Sequence, residues 1–166
     1  MLGASVTRHF ADPQAKTFDD FALGDVMVTR GRTIDIGDIT NFASLTGDFY
    51  PLHIDEEHGK STRFGTRIAH GPFTFAIAVG LVGLSGFYGD AITALIEISS
   101  MRALKPVVAG DTLKVNAEVI ELTPGENPKY GRIGVQYSVR NQREEEVMQF
   151  TQLMLARRAR SSTDGG

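Results

Sequence analysis

Apolar and polar residues follow two different periods along this chain, and each change of period marks a boundary between predicted elements. A strand pattern runs from Val26 to Asp35, and apolar residues then recur every three to four positions as far as Gly47. That spacing is typical of a helix with one buried face. Asp35 is suited to cap this helix, and Gly47 is suited to end it.

Two further helices are predicted before the period changes again. A short polar helix opens at Asp55, a residue type that accepts hydrogen bonds from first-turn N–H groups. The segment from Pro72 to Gly86 is apolar on nearly every side, and its proline suits the start of a helix. We therefore expect protein to surround this third helix.

The rest of the chain alternates apolar and polar residues with period two, which indicates strands with one buried face. Runs that begin at Leu113 and Ile133 alternate most regularly, and a turn of sequence TPGENPK separates them. AITALIEISSM before them and VMQFTQLMLAR after them complete four strands, and Glu144 to Glu146 fall in a hairpin turn. Together with the first strand they predict an α+β fold, an antiparallel sheet wrapped around one long apolar helix.

Composition narrows the class of protein. The chain has 166 residues, 42% of them hydrophobic, which suffices for a single domain over residues 1–166 with loosely held ends at about 1–16 and 161–166. It contains no cysteine. A disulfide framework, a thiol nucleophile and thiolate-bound metal are therefore excluded, and a reducing cytoplasm fits.

Charge and hydropathy exclude two kinds of partner. Seventeen Lys and Arg against twenty Asp and Glu give a formal net charge of −3, which leaves no positive field to hold a polyanion. The first residues lack the apolar run of a secretion signal, and glycines interrupt the most apolar segment. We predict a cytoplasmic protein that binds neither nucleic acid nor membrane.

Candidate chemistry is concentrated between the first and third predicted helices. Asp48 and His53 lie five residues apart in a predicted loop tightened by Pro51, so a carboxylate and an imidazole can reach one water molecule. Structural alternatives are open for both. A carboxylate after Gly47 can simply make a turn hydrogen bond, and a histidine can simply be satisfied within the fold.

The second element, His70 and Gly71, stands at the start of the third helix. First-turn N–H groups have no partner within a helix and lie at the positive end of its dipole, so they suit a developing oxyanion. Gly71 lets a ligand approach the backbone closely, or it merely eases a turn. An acid–base pair beside an oxyanion donor is what the addition of water across a carbonyl-conjugated double bond requires.

The order of these motifs resembles one known family. It consists of GDFYPLH from Gly47, RFG from Arg63, RIAHG from Arg67, the apolar helix, and KPVVAGDTL from Lys105. This order and spacing are similar to those of the MaoC-like family of (R)-specific enoyl-CoA hydratases and dehydratases, which have the hot-dog fold. The resemblance covers about Phe18 to Arg157.

The resemblance implies the reversible hydration of a trans-2-enoyl-CoA to an (R)-3-hydroxyacyl-CoA. Asp48 and His53 would hold and activate the water, and the N–H of Gly71 would bind the thioester oxygen. His70 and Tyr50 would contribute to substrate binding. No metal or cofactor is implied beyond the coenzyme A of the substrate, and the expected assembly is a homodimer, or a higher oligomer of dimers, with the two sheets joined edge to edge.

One position departs from the family pattern. Tyr50 stands two residues after the aspartate, where the family usually has asparagine. Tyrosine either takes over a hydrogen bond in a reshaped pocket, alters the choice of substrate, or accompanies a loss of activity. Two other functions therefore stay open, an acyl-CoA thioesterase of the same fold and a non-catalytic module that binds acyl thioesters.

Two further sets of residues have a functional and a structural interpretation. Four cations are candidates for the phosphates of coenzyme A or are solvated surface charges: Arg63, Arg67, Arg102 and Lys105. Four aromatic residues shape an acyl pocket or belong to the core: Phe73, Phe75, Phe87 and Tyr88. The length and branching of the acyl group have no signature in the sequence.

Overall fold

The computed structural model describes residues 15–159, and its elements are six strands and four helices besides one short 3-10 turn. The strands are β1 Val26–Val28, β2 Arg32–Thr33, β3 Ile92–Ala103, β4 Thr112–Pro124, β5 Tyr130–Arg140 and β6 Glu146–Arg157. The helices are α1 Ile36–Thr46, α2 Pro51–Ile54, α3 Glu56–Ser61 and α4 Gly71–Leu84, and the 3-10 turn is Phe18–Asp20.

All the strand pairs in these residues are antiparallel. The strand order is β1-β4-β5-β6-β3, and β2 also pairs with β4. Inward-facing residues of β4, β5 and β6 alternate with more exposed ones, as the period-two pattern predicts. The predicted hairpin turns at TPGENPK and at Glu144–Glu146 join β4 to β5 and β5 to β6, and the α+β prediction is confirmed.

The helix α4 lies on one face of this sheet and starts one residue earlier than predicted, with Pro72 at its second position. Phe73, Ala78 and Val82 are buried in the same hydrophobic core as the inner residues of β4–β6. The opposite face of α4 is not covered by residues 15–159, and Leu84 is 89% exposed. The expectation that protein surrounds this helix is therefore met on one side only.

The predicted first strand is divided into β1 and β2 by the side chain of Thr29. The backbone N–H of Thr29 donates to Val115 O at 2.9 Å, and its hydroxyl accepts from Val115 N at 3.0 Å. A hydroxyl thus replaces the backbone carbonyl that a continuous ladder would use. Pairing resumes at Arg32 opposite Leu113.

The start and the end of the described chain are joined by polar contacts. Lys16 donates its backbone N–H to Asp90 and its ammonium to Phe87 O. Arg158 forms a salt bridge of 2.7 Å with Asp19, which lowers the pKa of that carboxyl. Of the ends predicted to be loosely held, at about 1–16 and 161–166, only Ala15 and Lys16 lie within the described residues.

The β5–β6 hairpin is linked to the loop after β3 through Glu145. Its carboxylate accepts from Asn141 Nδ2 at 2.8 Å, from Lys105 Nζ at 2.6 Å and from Arg143 Nε at 2.8 Å. These donors favour the ionised form and lower the pKa of Glu145 from 4.5 to about 2. Lys105 belongs to the segment that connects β3 to β4, so this one carboxylate fixes two loops to each other.

We predict that Glu145→Gln lowers the Tm at neutral pH and that the difference from the parent protein shrinks in acid. The folded-state pKa is depressed, so the carboxylate stabilises the fold above pH 4.5 and loses that effect as the pH falls towards about 2. Thermal unfolding at half-unit steps between pH 2 and pH 7 measures this. Glu146→Gln, which removes a neighbouring carboxylate without a salt bridge in residues 15–159, is the control. A Tm difference independent of pH would contradict the assignment.

Candidate active site

Asp48 lies in the short loop that follows α1. The helix ends at Gly47, whose φ of 75° is a left-handed conformation that favours glycine. The N–H of Asp48 then donates to the hydroxyl of Thr46 at 3.3 Å, and the N–H of Tyr50 donates to Asp48 Oδ1 at 3.3 Å. The Asp48 side chain is 53% exposed. The turn therefore holds this carboxylate at the surface with an oxygen free for a ligand.

His53 lies on a helix and not in the predicted loop, because Pro51 is the first residue of the one-turn helix α2. Its Nδ1 is 2.7 Å from Ile68 O. A carbonyl oxygen can only accept, so Nδ1 carries the proton in the neutral ring. The unprotonated atom is then Nε2, the ring nitrogen that can take a proton from water.

The segment 66–69, which supplies that carbonyl, is held from several sides. Ile68 N donates to Leu52 O at 3.2 Å, and Arg67 forms a salt bridge of 2.9 Å with Glu56 on α3, which lowers the pKa of Glu56. Gly59 of α3 packs directly on this segment, where a β-carbon would lie 2.5 Å from the backbone of Thr66. Only glycine permits that approach.

His70 brings Asp48 and His53 together. Its side chain is 1% exposed, and its Nε2 is 3.0 Å from Asp48 O and 3.9 Å from Asp48 Oδ2. The His70 ring also stacks on the His53 ring, with centroids 3.8 Å apart and planes at 26°. The structure thus places three residues that the sequence separates by up to 22 positions into one cluster.

The cluster of Asp48, His53 and His70 has one ligand atom from each residue within 4.8 Å of the others. That separation matches two groups that hydrogen-bond to the same water, at about 2.8 Å each. Three such groups could also hold a metal by proximity. However, stacked rings direct their nitrogens side by side and not towards one point, and Nε2 of His70 already donates to a carbonyl, so the donor set suits water better than a tetrahedral metal ion.

Gly71 opens α4 directly after this cluster. No atom outside its chain neighbours and its own helix would lie within 4 Å of a β-carbon at this position, so the space in front of the backbone is open. Pro72 has no N–H, and the Gly71 N–H belongs to the first turn, where N–H groups lack partners within the helix. This backbone donor is therefore available to an oxygen atom of a ligand.

A cavity of about 250 Å³ extends from His53 and Gly71 towards the sheet. It is lined by residues 103–107 at the end of β3 and directly after it, by Val147 and Met148 of β6, and by Thr74 of α4. Apolar side chains thus line the cavity together with a few polar ones, a combination found in small-molecule sites.

Of the cations and aromatic residues predicted to contact the substrate, some line the cavity and the others belong to the fold. Arg63 and Lys105 line the cavity, whereas Arg102 does not and Arg67 is bound to Glu56. None of the four aromatic candidates lines it, and Phe73 and Phe87 are core residues.

Tyr50 lies beside the catalytic candidates without joining the cavity wall. Its side chain is 60% exposed, and its ring centroid is 6.3 Å from that of His53. The residue that sequence reasoning missed is Ile68, because a backbone carbonyl leaves no signature in the side-chain pattern.

An antiparallel sheet packed on one long helix defines a hot-dog-fold protein, and in this one a carboxylate and an imidazole lie beside the first turn of that helix. A double-hot-dog protein from Mycobacterium tuberculosis shares this fold, with a TM-score of 0.80 at 20% identity over 93% of this chain and 48% of the other. Residues 20–141 match the family described as MaoC like domain. The chain therefore belongs to the MaoC-like domain family, as its motifs predicted.

Individual relatives cover most of the chain. The YdeM protein of Bacillus subtilis is 37% identical over 84% of this chain and 98% of its own length. A 3-hydroxybutyryl-CoA dehydratase of Methylorubrum extorquens is 35% identical over 64% of this chain and 66% of its own. The solved structure of an R-hydratase from Pseudomonas aeruginosa has a TM-score of 0.73 at 26% identity, over 86% of each chain. Among residues 15–159, no helix has the length and apolar character needed to cross a bilayer.

Proposed function

We propose that this protein is a hydro-lyase that adds water reversibly to a trans-2-enoyl-CoA and forms the (R)-3-hydroxyacyl-CoA. One observation carries the proposal. Asp48 lies beside His53, with one ligand atom of each within 4.8 Å of the other, and His53 lines the cavity together with Gly71 at the start of α4. Names of similar proteins, a 3-hydroxybutyryl-CoA dehydratase and an R-hydratase, support the same chemistry.

His53 and Asp48 together hold the water in this proposal. Nε2 of His53 has the free lone pair, because Nδ1 donates to Ile68 O, so it can accept a proton as the water oxygen bonds to C3 of the substrate. The second water hydrogen is held by the Asp48 carboxylate. A proton returned by this pair to C2 completes the addition, so that one O–H bond and the C2–C3 π bond break while one C3–O and one C2–H bond form, with no net change in charge.

The thioester oxygen is the group that gains negative charge when water adds to the conjugated bond. The N–H of Gly71 belongs to the first turn of α4, where a β-carbon would meet open space, and it can donate to that oxygen. The positive end of the helix dipole adds to the stabilisation. Coenzyme A is then part of the substrate, and we propose that the reaction uses no metal and no other cofactor.

The anionic part of coenzyme A needs cations at the mouth of the cavity. Arg63 and Lys105 line it, but Lys105 is already paired with Glu145 at 2.6 Å. Arg63, which lies over the Phe64 ring with its guanidinium carbon 4.8 Å from the centroid, is thus the candidate we favour for a phosphate.

We also propose a homodimer joined at β3. This strand is the edge of the sheet next to β6 and exposes apolar side chains on both of its faces, with Leu95 at 51%. An exposed, apolar edge strand of this length is a template for pairing with another strand. The uncovered face of α4 adds to the same apolar surface.

We expect Asp48→Asn and His53→Gln each to lower the kcat for hydration of crotonyl-CoA by about 10²–10⁴-fold, because each removes a proton-transfer group. Loss of absorbance of the conjugated double bond measures the reaction. Both side chains are partly exposed, so the Tm should change little. The matched control is His58→Gln, which changes an exposed histidine of α3.

The same assay separates the other two functions. Release of free thiol by the parent protein would identify a thioesterase, since hydration leaves the thioester intact. Saturable binding without turnover on a series of enoyl thioesters would identify a binding module. Hydration at the parent rate by both variants would refute the proposed roles of Asp48 and His53.

Gly71→Ala should lower kcat/KM by about 10- to 100-fold while leaving the Tm unchanged or higher. The added methyl meets no protein atom but occupies the space of the thioester, and a displacement of about 1 Å costs about 10²-fold in rate. Gly37→Ala in α1, also free of contacts, is the control for a helical glycine and should retain activity. Equal activity in the two variants would exclude an approach of substrate to Gly71.

Sedimentation at micromolar concentration should show a dimer, and Ile96→Lys in β3 should convert it to a monomer, because a buried lysine at a strand pair leaves an unpaired charge. Leu23→Lys, at another exposed apolar position outside β3, serves as the control and should remain dimeric. A monomeric parent protein, or dissociation by Leu23→Lys alone, would refute pairing through β3.

A further inference from the structure

We propose that His70 is the positioning residue of this site: it holds the Asp48 loop and the His53 ring at their working separation, and acts on the reaction only through them. The proposal rests on the hydratase function above and extends it. The side chain is 1% exposed, so it has almost no surface with which to touch a substrate.

The hydrogen bond from His70 is the long-range tie on the Asp48 loop. The other bonds of this loop are local, between Asp48 and Thr46, between Tyr50 and Asp48, and between Phe49 and Gly47. His70 Nε2 donates to Asp48 O at 3.0 Å across 22 residues. It therefore connects the loop to the start of α4, where the Gly71 N–H is located.

Stacking connects the same ring to His53. His70 lies between two rings, that of Phe42 on α1 with centroids 5.1 Å apart and that of His53 with centroids 3.8 Å apart. The His53 ring is thereby fixed in plane by His70 and in rotation by Ile68 O. One side chain thus contacts both candidate catalytic residues and three different elements.

The tautomer of His70 follows from its partner. Asp48 O is a carbonyl and only accepts, so the proton of the neutral ring is on Nε2. The other nitrogen, Nδ1, is buried and has no hydrogen-bond partner within residues 15–159. A buried polar atom left without a partner costs free energy, and the bond from the opposite nitrogen to Asp48 O offsets that cost.

Two variants with amide side chains, His70→Asn and His70→Gln, test the positioning role of His70. Glutamine can place its amide N–H near the position of the histidine Nε2, whereas the shorter asparagine cannot reach Asp48 O. We expect His70→Asn to lower kcat by about 10²-fold, the usual effect of a displacement of about 1 Å, and His70→Gln to recover at least several-fold of that loss. KM should stay within about twofold in both variants, because the ring is not in contact with substrate.

Hydrogen exchange provides a readout that does not depend on activity. The amides of Phe49 and Tyr50 should exchange faster in His70→Asn than in His70→Gln, while amides in the middle of α1 remain as in the parent protein. Tyr137→Phe removes a buried hydroxyl paired at 2.7 Å with Tyr88, and neither tyrosine lines the cavity. It is the control for a general loss of stability and should leave kcat and the loop exchange unchanged.

The outcomes separate the two proposals. A parent protein without hydratase activity would refute the proposed function, and the exchange data would still decide whether His70 holds the loop. Equal kcat and equal exchange in the asparagine and glutamine variants would refute the positioning role. A raised KM with unchanged kcat would also refute it and would assign His70 to substrate binding.

Discussion

The packing of α4 on the sheet is the constraint on which the rest of this structure depends. Phe73, Ala78 and Val82 enter the core formed by β4, β5 and β6, and this contact sets both the axis of the helix and the place where its first turn begins. Within residues 15–159, the face of α4 that is buried is the one that meets the sheet. The side chain of His70 consequently reaches the loop that follows α1, and the site forms where this loop meets the first turn of α4.

Backbone carbonyls, and not charged side chains, define the state of the two imidazoles. Ile68 O fixes the proton of His53 on Nδ1, and Asp48 O fixes that of His70 on Nε2. The two rings are stacked but have opposite tautomers, so one presents a lone pair to the candidate water position and the other donates to the loop. A carbonyl has no proton to donate, so it keeps this assignment at any pH at which the rings are neutral.

The sequence predicted the elements better than their limits and contacts. Periodicity located α1, α3, α4 and the four long strands, because each has a buried face and a recognisable cap or turn, such as Asp55 at α3. It missed α2, which is a single turn and too short for a period. Periodicity also predicted β1 and β2 as one strand. A threonine at position 29 is an ordinary strand residue, and the sequence does not show that its hydroxyl replaces a backbone carbonyl.

For the candidate site, residue types and spacing were enough to select Asp48, His53 and Gly71, but not to show what holds them. The contact between His70 and Asp48 depends on the angle between α1 and α4, which is a tertiary quantity. The exposure of α4 is a second example. Because α4 is apolar on all sides, its sequence predicts that protein surrounds it completely, yet residues 15–159 bury only one of its faces. Composition does not show whether the other face is buried by the same chain or by a second copy.

The uncovered surface and the candidate site are connected through β3. This edge strand ends at Ala103, and the residues that follow it directly, Leu104 to Val107, form one wall of the cavity. Ala69 N donates to Val107 O at 2.7 Å, so the same wall also supports the segment that holds His53. A strand paired to β3 would restrain Ala103, and through it the cavity wall and the Ile68 carbonyl. Assembly at this edge would therefore order the site as well as cover apolar surface, which gives a physical reason for placing the two next to each other.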